Sequence, residues 1–185
     1  MRTGYEFDSS YTADDVLSNF PYALPLDPGF DEDSGIYEFP VTIEDEEPPG
    51  YAKRVPQAVD VIRTNAENNA ISVVLVHSNE SKTKAPAEQE MLRALPDDIG
   101  KMDMLSFAKF WRARDRLQWR VVSASKSAAV LQLNTAEPLA GLTLEFERAV
   151  AKVSGGGTVS ADGMQVVLPE LLPGKTISLR VNYRP

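Results

Sequence analysis

The chain has 185 residues, 43% of them hydrophobic and 25% charged, which is the composition of a globular protein. Its net charge of −8 argues against a nucleic-acid partner, because phosphate binding needs a basic surface. No apolar run approaches the ~20 residues of a membrane-spanning helix, and the absence of cysteine excludes disulfides and thiolate metal sites.

The first fifty residues are acidic and rich in aromatic side chains. They contain 13 acidic residues and one basic residue, whereas residues 51–185 contain 14 acidic and 18 basic residues. Nine of the fifteen aromatic residues lie within residues 1–51, mixed with acids and Pro-Gly segments. Aromatic faces stack on sugar rings, so this composition favours a carbohydrate cleft, and packing of the same rings into the core is the alternative. An acidic run is also typical of a solvated surface.

Residues 4–10 are predicted as a short strand that runs into a loop, and residues 36–43 as a second strand. An amphipathic helix is predicted over residues 56–69. The helix is indicated by apolar residues spaced by three and four positions: Val55, Ala58, Val59 and Ile62. An uninterrupted, largely β-branched apolar run at residues 71–76 then predicts a strand buried on both faces, as in a parallel sheet. Strands that alternate with helices indicate a parallel α/β arrangement.

His77 ends this apolar run and is the only histidine of the chain. Catalytic groups of α/β sheets stand at the carboxyl ends of the strands, and an imidazole titrates near neutral pH. His77 is therefore the candidate catalytic residue, and a hydrogen-bonded structural role is the alternative. The sequence contains no Gly-x-Ser-x-Gly motif for a serine hydrolase and no glycine-rich phosphate loop.

The remainder of the chain is predicted to contain helices and a strand up to residue 122 and only strands after it. Residues 82–87 are predicted as a polar loop and residues 86–95 as a helix, and Asp103 is predicted to cap a further helix that leads into a strand at residues 117–122. Four strand-like segments without helical periodicity follow, at residues 129–133, 142–147, 164–168 and 176–183. The prediction is an α/β domain of residues 1–122 and a small antiparallel β-sandwich domain of residues 123–185.

Five segments of the first domain share one resemblance: residues 4–10 (Gly-Tyr-Glu-Phe-Asp-Ser-Ser), 20–22, 36–41, 75–77 (Leu-Val-His) and 107–114. They resemble the C-terminal part of the NodB-type polysaccharide deacetylases, a carbohydrate esterase family with a late Leu-x-His motif. The resemblance extends over residues 3–122. It implies a partial deformed β/α barrel, to which the β-sandwich is appended.

The resemblance implies that the chain is the C-terminal portion of a metal-dependent polysaccharide deacetylase, which removes N-acetyl groups from a cell-surface or extracellular glycan. A natural remnant of such an enzyme that has lost catalysis is the alternative. His77 matches the histidine that protonates the leaving amine in that family. A carboxylate normally orients such a histidine, and Glu38 and Glu44 are the candidates from the preceding strand.

The family holds zinc or another divalent metal with one aspartate and two histidines. This chain lacks the Thr-Phe-Asp-Asp and His-x-x-x-His motifs that supply those ligands. The sequence therefore predicts no metal ligand and no cofactor in this chain, which is expected to be inactive alone.

The resemblance also implies a polysaccharide or oligosaccharide partner and a periplasmic, cell-surface or extracellular location. A half barrel would expose strand edges, which makes a homodimer an expected way of covering them. The alternative function is a non-catalytic glycan-binding or interaction module, which the missing metal motifs favour.

Overall fold

The computed structural model describes residues 5–12, 20–25 and 33–185. Gly4 of the predicted first strand and the aromatic residue Phe30 lie outside this described part. The chain divides into two compact units, Met1–Lys101 and Met102–Pro185. Within the described residues the first unit contains strands β1 (Phe7–Asp8), β2 (Tyr22–Pro25), β3 (Asp33–Glu38), β4 (Ile43–Glu44) and β5 (Val74–Leu75), and helices α1 (Tyr51–Glu67) and α2 (Ser81–Ala94).

The predicted partial NodB-like β/α barrel is wrong. In the described part of the first unit the strands form two small sheets, and neither closes into a barrel. One sheet has the order β1–β3–β2 and is mixed, because β2 runs antiparallel to β3. The other pairs β4 with β5 in parallel over two residues each. The apolar run at residues 71–76 thus forms only a two-residue strand, whose Val74 and Leu75 are partly buried rather than enclosed on both faces.

Helix α1 follows the predicted apolar spacing but begins earlier than predicted. Gly50 precedes it with a φ of +102°, a conformation that glycine adopts without the steric cost of a Cβ, and the helix then starts at Tyr51. Beyond its end, Asn69 has a φ of +56°, which asparagine tolerates better than most residues. The residues predicted to face inward are all buried: Val55, Ala58, Val59 and Ile62.

Helix α2 begins at Ser81, so the prediction of a polar loop over residues 82–87 is wrong. Its buried face carries Lys84, Ala87 and Met91. Ala87 and Met91 belong to the same hydrophobic core as the buried face of α1. This packing fixes the position at which Lys84 enters the interior of the first unit.

The second unit is built from antiparallel sheets. Its strands are β6 (Gln118–Ala124), β7 (Ala128–Asn134), β8 (Thr143–Glu145), β9 (Val150–Ser154), β10 (Thr158–Val159), β11 (Gln165–Val167) and β12 (Ile177–Tyr183). They form one sheet of order β6–β7–β12–β9 and another of order β10–β11–β8. The alternation predicted for the last strand places Leu179 and Val181 in the core, where both are fully buried.

Helix α3 (Met104–Asp115) lies in the second unit, although the sequence grouped it with the α/β domain. Its buried residue Ala113 and the partly buried Phe110 belong to the core of that unit. The predicted cap is confirmed, since the Asp103 side chain accepts the backbone N–H of Ser106 at 2.9 Å. In the described part of the chain, no helix combines the length and the apolar character needed to cross a membrane.

Candidate catalytic site around His77

Two parallel strands bring His77 next to an acidic segment. β4 and β5 pair with Glu44 opposite Leu75, and the backbone N–H of Asp45 donates to the carbonyl of Leu75 at 3.2 Å. The carboxyl ends of parallel strands meet at one edge of a sheet, so the residues that follow the two strands become neighbours. Asp45 and His77 are therefore in contact although 32 positions separate them in the sequence.

The carboxylate of Asp45 binds His77 through both of its oxygens. Oδ1 lies 2.7 Å from the imidazole Nδ1, and Oδ2 accepts the backbone N–H of His77 at 3.0 Å. The Asp45 side chain is fully buried, whereas 40% of the His77 side chain is exposed. Because a carboxylate accepts, Nδ1 carries the hydrogen, and Nε2 is the nitrogen left to exchange a proton with another molecule. An imidazole oriented in this way can act as a general acid or base.

Lys84 supplies the positive charge that compensates Asp45. Its Nζ lies 2.5 Å from Asp45 Oδ2 and also donates to Asn79 Oδ1, and only 9% of the lysine side chain is exposed. Asn79 in turn donates to Glu46 Oε1 at 3.1 Å, and that oxygen lies 3.7 Å from His77 Nδ1. A buried carboxylate is tolerated only with a compensating charge and hydrogen bonds, and Lys84 and His77 provide both.

These contacts shift the pKa values of both partners. Burial alone would raise the pKa of Asp45, but hydrogen bonds from Lys84 and His77 outweigh it and lower this pKa below the ordinary 3.8. The hydrogen bond to Asp45 raises the pKa of His77 above the ordinary 6.5, with help from Glu46 and against the effects of desolvation and Lys84. A raised pKa keeps more of the imidazole protonated near neutral pH, which suits donation of a proton.

The stability of the protein is expected to depend on pH through this pair. His77 binds its proton more tightly in the folded state, so its contribution is complete below 6.5 and is lost as the pH rises through the raised pKa. Asp45 contributes above 3.8 and loses that contribution as the pH falls through its lowered pKa. Thermal unfolding followed by circular dichroism should therefore show the largest advantage of the native protein over His77→Gln between these pH values. An advantage that instead grows above neutral pH would contradict this prediction.

Glu38, one of the two carboxylates predicted to orient His77, holds a different part of the chain. It is buried in β3 and accepts the backbone N–H groups of Ser10 and Tyr11, each at 3.1 Å. Glu38 thereby fixes the segment that follows β1. The carboxylate bonded to the imidazole of His77 is Asp45, which the sequence prediction did not name.

Glu44, the other predicted carboxylate, belongs to a group of possible metal ligands. Glu44, Glu46 and His77 each offer one ligand atom, and these atoms lie within 4.8 Å of one another. Carboxylate oxygens and an imidazole nitrogen are ligands that Zn²⁺ accepts. The set differs from the one aspartate and two histidines of the NodB-type family, and it would use the same histidine that proton transfer requires. The donors of this group therefore do not fit the metal site that the resemblance implies.

Asp45 and Lys84 are the residues of the site that sequence reasoning missed. The signal for Asp45 was its position two residues beyond the predicted strand 36–43, in the acidic segment that ends this strand. The signal for Lys84 was its spacing, since Lys84, Ala87 and Met91 recur at helical intervals and place a lysine on an apolar face. A charged residue on such a face needs a buried partner, which here is Asp45.

The aromatic residues near the N-terminus divide between the core and the surface. Tyr37, Phe39 and Tyr51 are buried, so the interpretation of these rings as core is confirmed for this subset. Four others are exposed: Tyr5, Tyr11, Phe20 and Tyr22. Within the described residues, these exposed rings are the side chains of this region that remain accessible for stacking on a sugar.

No family model matches this chain, and no curated protein matches it. Among solved structures, an apo exo-carrageenase GH42 from Bacteroides ovatus aligns with 64% of this chain at 14% sequence identity and a TM-score of 0.25. The aligned part spans 15% of the length of that protein. A likeness of this degree carries no argument about the fold or the function of the chain.

Proposed function

We propose that this chain provides the proton-transfer centre of a polysaccharide de-N-acetylase, with His77 as the general acid and Asp45 as its orienting carboxylate. The observation that carries the proposal is the 2.7 Å hydrogen bond between the fully buried Asp45 carboxylate and Nδ1 of a half-exposed imidazole. The Leu-Val-His segment at residues 75–77 supports the choice of reaction, because it resembles the late motif of the NodB-type deacetylases.

The chemistry of amide hydrolysis explains why such a pair is useful. Water adds to the carbonyl carbon of the N-acetyl group, and the bond from that carbon to nitrogen breaks to give acetate and an amine. The amine is a poor leaving group unless its nitrogen is protonated as this bond breaks. With Nδ1 bonded to Asp45, the imidazolium of His77 donates that proton from Nε2, and the negative carboxylate stabilises the charged ring before transfer. No step of this proposal is assigned to a metal, because the available donors include His77 itself.

The proposal is tested by measuring acetate release from N-acetylated oligosaccharides of glucosamine and galactosamine. The protein is expressed from its complete coding sequence, and the fully deacetylated oligosaccharide serves as the blank. We expect free acetate and a matching loss of acetyl groups from the sugar by mass spectrometry. Absence of acetate from every N-acetylated substrate, with the protein shown to be folded by circular dichroism, would reject the proposed reaction.

A glycan-binding module without catalysis is the second candidate function. The exposed rings of Tyr11, Phe20 and Tyr22 favour it, because aromatic faces at a surface can stack on sugars. Isothermal titration calorimetry with the same oligosaccharides separates the two functions. Saturable binding without acetate release would favour the binding module, whereas acetate release favours the deacetylase.

A further inference from the structure

The Asp45 carboxylate is held from two directions. Oδ1 is bonded to the imidazole Nδ1 of His77 at 2.7 Å. Oδ2 receives the backbone N–H of His77 at 3.0 Å and the Nζ of Lys84 at 2.5 Å. The imidazole therefore bonds to Oδ1 alone. The two donors to Oδ2 determine the orientation of the carboxylate that presents Oδ1 to the ring.

We propose that Lys84 is a positioning residue of this site, which holds the Asp45 carboxylate in the orientation that presents Oδ1 to the imidazole of His77. The inference deepens the proposed function and rests on it for the catalytic consequence. Lys84 itself has no role in bond making or breaking, because its ammonium group is nearly enclosed by the protein.

Helix α2 gives Lys84 the rigidity that positioning requires. Lys84 lies in the first turn of α2, where its backbone N–H donates to the carbonyl of Glu80 at 3.1 Å. Ala87 and Met91, one and two turns further along the same face, are buried in the core of the first unit. A side chain that starts from a packed helix reaches Asp45 with little freedom to choose another partner.

A second contact extends the effect of Lys84 to Glu46, a further carboxylate near the imidazole. Its Nζ also donates to Asn79 Oδ1, and the amide nitrogen of Asn79 donates to Glu46 Oε1 at 3.1 Å. Glu46 Oε1 lies 3.9 Å from the lysine Nζ and 3.7 Å from Nδ1 of His77. One ammonium group thus contacts Asp45 directly and Glu46 through Asn79, two of the acidic residues beside the histidine.

The test compares Lys84→Met, which keeps an unbranched apolar side chain but loses the terminal ammonium group, with Lys82→Met as a matched control. Lys82 is exposed on the same helix and lies in the same turn. Proton NMR follows the hydrogen on Nδ1 of His77, which resonates far downfield when a carboxylate accepts it. We expect this resonance in the native protein and in Lys82→Met, and its loss or upfield shift in Lys84→Met. An unchanged resonance in folded Lys84→Met would overturn the proposal.

Kinetics provides the second measurement. Lys84→Met is expected to lower kcat for acetate release by ~10–100-fold with KM nearly unchanged, because a misdirected acid affects the transition state more than substrate binding. Lys84→Arg should recover part of the lost kcat by restoring a cation. Equal losses in Lys84→Met and Lys84→Arg, with both variants folded, would overturn the positioning role.

The two measurements keep the two proposals apart. If the native protein releases no acetate, the proposed function fails, and the Nδ1 resonance still decides whether Lys84 orients Asp45. If Lys84→Met does not fold, Lys84→Gln replaces it, because glutamine keeps an N–H donor while removing the charge. A resonance that is weakened, shifted upfield or lost in folded Lys84→Gln would support the proposal, and a resonance identical to that of the native protein would overturn it.

Discussion

Replacing His77 with alanine is expected to lower kcat for acetate release by ~10²–10⁴-fold, which is the usual contribution of a general acid. His77 is the only histidine of these 185 residues, so no other imidazole of this sequence can take over the transfer. The loss should fall mainly on kcat, because the proton moves in the transition state rather than on binding. Steady-state acetate release from an N-acetylated oligosaccharide measures both constants. A variant that retained the native kcat would remove His77 from the mechanism.

Asp45→Asn provides the companion measurement. The amide keeps the shape of the carboxylate but cannot stabilise an imidazolium by its charge, so kcat should fall by roughly tenfold or more. Asp60→Asn on α1 is the matched control, since Asp60 is exposed to solvent. Removing the negative charge also takes from the buried Lys84 its charged partner at 2.5 Å and leaves Glu46 at 3.9 Å, and breaking a buried ion pair costs about 3–5 kcal/mol of stability. Circular dichroism at the assay temperature therefore has to show that the variant is folded before its kcat is interpreted.

The sequence identified His77 because two local signals coincide there. The residue is unique in the chain, and it follows an apolar run that ends in polar residues. Helix α1 was predictable for a similar reason, since the spacing of Val55, Val59 and Ile62 marks one face of a helix whatever surrounds it. Patterns of this kind depend only on neighbours along the chain.

Which carboxylate bonds to His77 depends instead on the register between β4 and β5. The pattern of neighbouring residues along the chain does not predict that register. Ile43 lies opposite Val74 and Glu44 opposite Leu75. A shift of this pairing by one residue would exchange the two faces of the strand and bring a different acid toward the imidazole. The run from Glu44 to Glu47 consists entirely of acids, so composition alone could not select Asp45.

The fold class was wrong for a related reason. A continuous apolar run was interpreted as a strand enclosed between layers of helices. In the structure, only Val74 and Leu75 of residues 71–76 pair with a neighbouring strand, which is β4. The strand β2 was not predicted, and its antiparallel pairing with β3 makes that sheet mixed. Strand β2 has only four residues, which is too few to show a hydrophobic periodicity, so tertiary pairing decides whether such a strand forms.

Replacing Gly155 with alanine is expected to lower the free energy of unfolding of the second unit by about 2–5 kcal/mol. Gly155 follows β9 with a φ of +97°, and a Cβ added there would collide with the backbone carbonyl of Ser178 in β12. The adjacent Ser154 pairs with Arg180, so the collision acts directly on the contact between the two strands. A backbone carbonyl within a ladder cannot move aside as a flexible side chain can.

Gly174→Ala separates the collision from the backbone strain. Gly174 also has a positive φ, +70°, but nothing lies within 4 Å of a Cβ built there, so only the ~1–2 kcal/mol of a left-handed residue is expected. Both tryptophans of the chain, Trp111 and Trp119, lie in the second unit, so tryptophan fluorescence during urea unfolding reports on that unit. Equal losses in the two variants would show that β9 and β12 accommodate the methyl group. A larger loss in Gly155→Ala would show that close approach of the two backbones, and not conformation alone, requires glycine at this position.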